Sequence, residues 1–298
     1  MEQKISRAVD LRRRETATKE HEAMGTELIT FSADDGFALD GLVTTAAGGP
    51  GGRAVLLVHG KVMNFYTGPC RILPPHLAAL GWSCLAMNRR GHDLGGIRNG
   101  RDSYGGAWER FADSQSDIAG GMAELRRRGF KKIVLAGHSF GGISAAAYAA
   151  AHPDQVAALV LCSAGSGGKE YLPQVSKRGM LAAEQHAEVD ALARRLVAEG
   201  HGDRMIALPG WWYAITAASW VDLAENVPST VENARRYPGP ILTLRGSLEP
   251  EEVYPAEGVA ASAGGRARLN VIAGADHFYN GVEDVFVAAV KEWFRQMQ

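Results

Sequence analysis

A serine, a histidine and a carboxylate, each just beyond an apolar run, carry the chemistry this chain could perform. Ser139 stands in Gly137-His138-Ser139-Phe140-Gly141, after the run Ile133 to Ala136 and before the alanine-rich stretch Ile143 to Ala151. That order is strand, sharp turn, helix. A serine on so tight a turn needs small neighbours, because its backbone is forced toward strained dihedrals while strand and helix pass close together; Gly137, Gly141 and Gly142 supply that room. The turn lifts the Ser139 hydroxyl above the sheet edge and directs the first helix N–H groups at whatever binds there, which suits an oxyanion. A chain with 36 glycines can produce G-x-S-x-G by chance, and the flanking strand and helix are what make the pattern specific. A hydroxyl is a poor nucleophile until a base removes its proton, and a histidine base needs a carboxylate to hold its tautomer. Past Ile241 to Leu244, the loop Arg245-Gly246-Ser247-Leu248-Glu249-Pro250 offers Glu249, with Glu251 and Glu252 as rivals. Past Leu269 to Ile272, the loop Ala273-Gly274-Ala275-Asp276-His277-Phe278 offers His277. In an open parallel sheet all three loops leave from the same carboxyl edge, so the groups converge from distant positions.

The elements that must position them alternate. Glu27 to Phe31 and Phe37 to Thr44 read as a hairpin turned at Asp34-Asp35-Gly36. Ala54 to Val58 is a continuous apolar run of the kind buried on both faces of a parallel sheet, and further runs follow at Trp82 to Met87, Val156 to Cys162 and the three already named. Helical patterns lie at Pro75 to Leu80, Trp108 to Arg128, Ile143 to Ala151 and Val282 to Met297. The expectation is an α/β fold: a mostly parallel central sheet with helices on both faces. Alternation fails from about Lys169 to Tyr237, a mostly helical stretch expected to sit over the strand ends. The implied organisation is a charged N-terminal arm over 1–24, a core over 25–168 and 238–298, and a helical cap over 169–237.

Composition narrows the partners. The 298 residues suffice for one large domain with an insertion, and 32 Lys and Arg against 33 Asp and Glu give no electrostatic reason to expect nucleic acid or an anionic membrane. A small, largely uncharged substrate fits better. Cys70, Cys84 and Cys162 lack C-x-x-C spacing and read as reduced core thiols. No secretory signal and no run of transmembrane length is visible, so a cytoplasmic location is expected. The histidines form no dense cluster with carboxylates, so neither a metal nor another cofactor is expected. The N-terminal arm could serve an oligomer contact.

Taken together, Val58-His59-Gly60 after the first long run, the Gly137 to Gly141 turn, Gly246-x-x-Glu249-Pro250 and Gly274-x-Asp276-His277, in the order serine, acid, histidine, make residues 26–298 resemble the α/β-hydrolase fold superfamily. Relatives usually carry aspartate in the acid loop; here it is Glu249. The resemblance implies a serine hydrolase of a carboxylic ester or related acyl bond, working through an acyl-enzyme. Lactonase, thioesterase, carbon–carbon bond hydrolase and acyltransferase are alternatives on the same three residues, and a non-catalytic ligand-binding protein is an alternative of another class. It also implies an oxyanion hole built from the backbone N–H of Phe140 and of Lys61 or Val62, with the Lys61 side chain reaching solvent or meeting a substrate carboxylate. His59 and His138 are expected to pack beside the site, and Asp276 to order its loop. Trp211, Trp212, Tyr213 and Trp220 of the insertion, with Tyr66, are candidates for the substrate pocket.

Overall fold

Strands covered on both faces need no polar side, which is why the continuous apolar runs form the middle of the sheet. The computed structural model describes residues 25–46, 51–97, 103–209 and 213–297; the charged arm over 1–24 lies outside them. The strands are β1 (Thr26–Ser32), β2 (Ala38–Thr44), β3 (Arg53–Val58), β4 (Ser83–Met87), the two-residue pair β5 (Gly96–Ile97) and β6 (Ser103–Tyr104), β7 (Lys132–His138), β8 (Ala158–Cys162), β9 (Met205–Leu208), β10 (Tyr213–Thr216), β11 (Ile241–Gly246) and β12 (Ala267–Ile272). The helices are α1 (Gly68–Ala78), α2 (Phe111–Arg127), α3 (Phe140–Ala151), α4 (Tyr171–Lys177), α5 (His186–Ala198), α6 (Ala217–Glu225), α7 (Thr230–Arg236), α8 (Ala256–Ala263) and α9 (Glu283–Gln296). The main sheet is 8-stranded, in the order β1-β2-β4-β3-β7-β8-β11-β12. β1 and β2 are antiparallel, and every pair from β4 through β12 is parallel. β3 continues to β4 on one side while β7 continues to β8 on the other. Ser139 leaves β7 at that reversal, where open α/β sheets form their crevice.

Alternate residues of each central strand feed opposite faces. Leu56, Val58, Leu135, Leu159 and Leu161 pack with Ile118, Met122 and Leu125 of α2 and Ala145 and Ala149 of α3. Val55, Leu57, Val134, Ala136 and Val160 pack with Leu73 and Leu77 of α1 and Phe286, Val290 and Phe294 of α9. Cys70, Cys84 and Cys162 are free and buried, and burial pushes all three thiols up, Cys70 to about 12.

Two expectations about elements change. The helix placed at 75–80 runs instead from Gly68 to Ala78, starting on Pro69 in its first turn, where proline is favoured, and continuing through Pro74 and Pro75. The stretch 169–237 holds an antiparallel hairpin, β9 with β10, besides its helices. Most of it forms a third apolar cluster with Phe140 and Ile143 of α3. Its last helix, α7, does not join that cluster: Ala234 and the following Tyr237 belong to the first core layer, and Tyr237 donates to the Val156 carbonyl at 2.8 Å.

Candidate active site

Ser139 has φ +56° and ψ −123°, a strained left-handed conformation for a residue with a side chain. It is held from several directions: its N–H donates to the Cys162 carbonyl at 3.1 Å, and its carbonyl accepts from Gly142 N–H at 2.9 Å and Gly165 N–H at 3.2 Å. The glycines are required by contact. A Cβ on Gly141 would overlap the carbonyl oxygens of Val58 and His59, and one on Gly137 would overlap the Gly141 carbonyl. Gly60 lies over the serine itself, since a Cβ there would stand 2.8 Å from Ser139 Cβ and 3.3 Å from its Oγ.

Of the three candidate acids, Glu249 reaches the histidine. Its Oε1 accepts from His277 Nδ1 at 2.6 Å, and its Oε2 accepts from Gly246 N–H and from Ser163 Oγ, both at 2.6 Å. Glu249 is buried, whereas Glu251 is exposed and Glu252 pairs with Arg178 at the surface. Because Nδ1 gives its proton to a carboxylate, Nε2 is the ring nitrogen left to accept one. Behind Glu249, Ser163 Oγ lies 2.9 Å from the Tyr279 hydroxyl, so with Ser163 donating forward the phenol donates to Ser163. Burial raises the Tyr279 phenol well above its ordinary range, which keeps it a donor.

His277 packs beside the turn. Its carbonyl accepts from His138 Nε2 at 2.8 Å, and the two imidazoles lie 4.6 Å apart. Burial, reinforced by His277, lowers His138 to about 3, so it is neutral. Tyr254 covers another side of His277 at 4.7 Å. Asp276 binds Phe278 N–H, Asn280 N–H and the Asn280 side chain, the loop-ordering role expected of it. His92 binds Asp93 at 2.7 Å, and no group of metal-ligand type is found among the described residues.

Phe140 is the first residue of α3, so its N–H has no carbonyl one turn back to bind. Lys61 needs a correction. Its side chain does not extend to solvent: Nζ donates to the Gly106 carbonyl at 3.0 Å and to Glu109 Oε2 at 3.3 Å, with 12% of the side chain exposed. A buried carboxylate already holds this ammonium, so it does not serve a substrate carboxylate.

The pocket candidates separate. Trp220 is fully buried in the third cluster with Nε1 donating to Asp190 at 3.0 Å, so it packs the insertion and presents no open face. Tyr66 lines, with Phe65, Cys70, Arg71 and Pro74, a cavity of about 300 Å³ that Ser139, Glu249 and His277 do not line. Trp211 and Trp212 lie outside the described residues, as does the side chain of Tyr213. Ser163 and Tyr279 went unrecognised in the sequence, although Ser163 directly follows β8 at the same sheet edge as Ser139.

A family model for the alpha/beta hydrolase fold matches residues 53–197. Lipase LipV of Mycobacterium tuberculosis is 31% identical over 152 residues, which are 44% of this chain and 56% of that protein. The chain thus spans little more than half the length of that relative. Among solved structures, Est1E from Butyrivibrio proteoclasticus with ferulic acid bound is similar at TM-score 0.69 and 18% identity, covering 90% of this chain and 98% of that one. A highly thermostable carboxyl esterase from Bacillus coagulans is similar at TM-score 0.68 and 15% identity, covering 91% and 98%. The family match runs from β3 past the serine turn into α5, and over nine-tenths of its length the chain is similar in fold to these solved structures; its architecture is that of the α/β-hydrolase fold.

Proposed function

We propose that the chain is a serine hydrolase of carboxylic esters. Ser139 attacks the acyl carbon, His277 Nε2 takes the hydroxyl proton and passes it to the leaving alcohol, and Glu249 orients the ring and stabilises the imidazolium. The Phe140 and Lys61 N–H groups receive the oxyanion. Water, activated by the same histidine, then releases the acid. The observation that carries this reading is the 2.6 Å contact between His277 Nδ1 and Glu249 Oε1, made by a histidine packed against the strained serine turn. The name of LipV and the esterase neighbours support an ester in preference to another acyl bond. The test is turnover of short p-nitrophenyl esters together with labelling by a fluorophosphonate. The wild type turns over and is labelled once per chain, and Ser139→Ala does neither. Normal rates in Ser139→Ala would refute the assignment.

A further inference from the structure

Beneath the oxyanion loop lies a buried ionic cluster that the hydrolytic scheme does not use. Arg89, directly after β4 and its neighbour Asn88, is fully buried, and a buried guanidinium requires partners for its N–H groups. It ion-pairs with Glu109 through Nη1, donates from Nη2 to the Gly60 carbonyl at 3.3 Å, and donates from Nε to the His59 carbonyl at 3.2 Å. Its backbone N–H donates to His59 Nε2 at 3.0 Å, which leaves the proton on Nδ1 to be donated to the Gly60 carbonyl at 2.7 Å. Glu109 holds Arg89 with one oxygen and Lys61 Nζ with the other. Both cations stand over the Phe140 ring, Arg89 at 5.4 Å and Lys61 at 5.5 Å. One cluster therefore touches both residues assigned to the oxyanion hole.

The cluster is a poor device for stability alone, since apolar residues of equal volume commonly do as well as a buried ion group. Its geometric effect is specific. The peptide between Gly60 and Lys61 is trans, so fixing the Gly60 carbonyl toward Arg89 and His59 turns the Lys61 N–H to the opposite side. A cation bound to the carbonyl also polarises the amide and strengthens its N–H as a donor.

We propose that Arg89 and Glu109 are positioning residues of the oxyanion hole: they pin the Gly60–Lys61 peptide so that the Lys61 N–H is aimed over Ser139 and strengthened as a donor. This rests on the hydrolase reading above. The experiment compares wild type, Glu109→Gln, Arg89→Met and Arg89→Lys for kcat and KM on a p-nitrophenyl ester, for inhibition by a trifluoromethyl ketone, and for unfolding midpoint. The ketone accepts Ser139 Oγ at its carbonyl carbon, the serine proton passes to His277, and the carbonyl oxygen becomes an oxyanion, so its affinity reads the hole directly. Because the donor is misaligned and not removed, kcat should fall about 10- to 100-fold in Glu109→Gln, below the loss for deleting a donor outright. KM should stay within about threefold, and ketone affinity should fall in step with kcat/KM. Arg89→Lys should recover part of what Arg89→Met loses. A folded Glu109→Gln protein with unchanged kcat and ketone affinity overturns the proposal while leaving the hydrolase reading intact. A wild type that neither turns over esters nor takes the fluorophosphonate refutes both.

Discussion

Replacing Glu249 by glutamine tests how the site sets its proton. The Glu249 carboxylate now accepts on both sides, from His277 Nδ1 on one oxygen and from the Gly246 N–H and Ser163 hydroxyl on the other. Glutamine has a single acceptor oxygen. The Gly246 N–H is fixed by the backbone and can only donate, so the amide oxygen must face it, and the NH2 then faces His277. Against that donor the imidazole shifts its proton to Nε2 and offers Ser139 an N–H where a lone pair is needed. The opposite amide orientation buries two donors face to face. An acid-to-amide change of this kind in serine proteases lowers kcat on the order of 10⁴-fold, which is about 5 kcal/mol at 1.36 kcal/mol per tenfold. Steady-state kcat on a p-nitrophenyl ester, with a denaturant melt to establish folding, reads the effect. The melt should also show a loss of about 1–3 kcal/mol from the weakened charge-assisted bonds. A folded Glu249→Gln protein retaining kcat within tenfold of wild type would refute the tautomer argument, and Glu251→Gln should leave kcat unchanged.

Ser163→Ala removes the relay between Tyr279 and Glu249 and strands a buried phenol; chemical denaturation should show about 1–3 kcal/mol of lost stability, with kcat reduced. Gly60→Ala sets a methyl group 2.8 Å from Ser139 Cβ and 2.7 Å from Met63 Sδ; stability should drop about 1–3 kcal/mol, and fluorophosphonate labelling should slow. His138 is lowered to about 3 by burial, and burial takes His59 well below its ordinary range. A histidine depressed in the folded state binds its proton more readily when unfolded, so its stabilising effect is complete above the unfolded value near 6.5 and is lost as pH falls toward 3. Denaturant melts at successive pH values should show a loss approaching about 1.4 kcal/mol per pH unit for each such histidine, and His138→Gln should flatten that slope by one proton.

Much of this was legible because the strongest signals are local. The central strands are unbroken apolar runs, and the serine turn, acid loop and histidine loop each follow one of them. What escaped the sequence depends on partners distant along the chain. Lys61 reads as a lysine bound for solvent or a substrate carboxylate until the loop after β4 and the segment before α2 bring Arg89 and Glu109 together, and Glu109 takes its ammonium. Ser163 and Tyr279 carry no motif, and their role exists only because β8 and the histidine loop meet behind Glu249. The choice of Glu249 over its neighbours was a matter of loop position until its oxygens found His277 and Gly246. The helix expected from Pro75 begins instead at Gly68, because α1 carries both Pro74 and Pro75 in its interior. Trp220 showed only that it is aromatic; its burial against Asp190 made it a packing residue.

The third apolar cluster, which joins Phe140 and Ile143 of the serine-bearing helix to Tyr171, Leu172, Leu181 and their neighbours in the insertion, bears on how the molecule meets its substrate. A lid that swings away must bare the surface it covered, at about 1.5–3 kcal/mol for each large apolar side chain returned to water. Here that surface belongs to α3, whose first N–H is proposed to receive the oxyanion, so lifting the insertion would strip packing from that same helix. With the insertion held in place, the proposed ester hydrolysis should saturate smoothly with substrate concentration, without a jump where the substrate begins to form droplets.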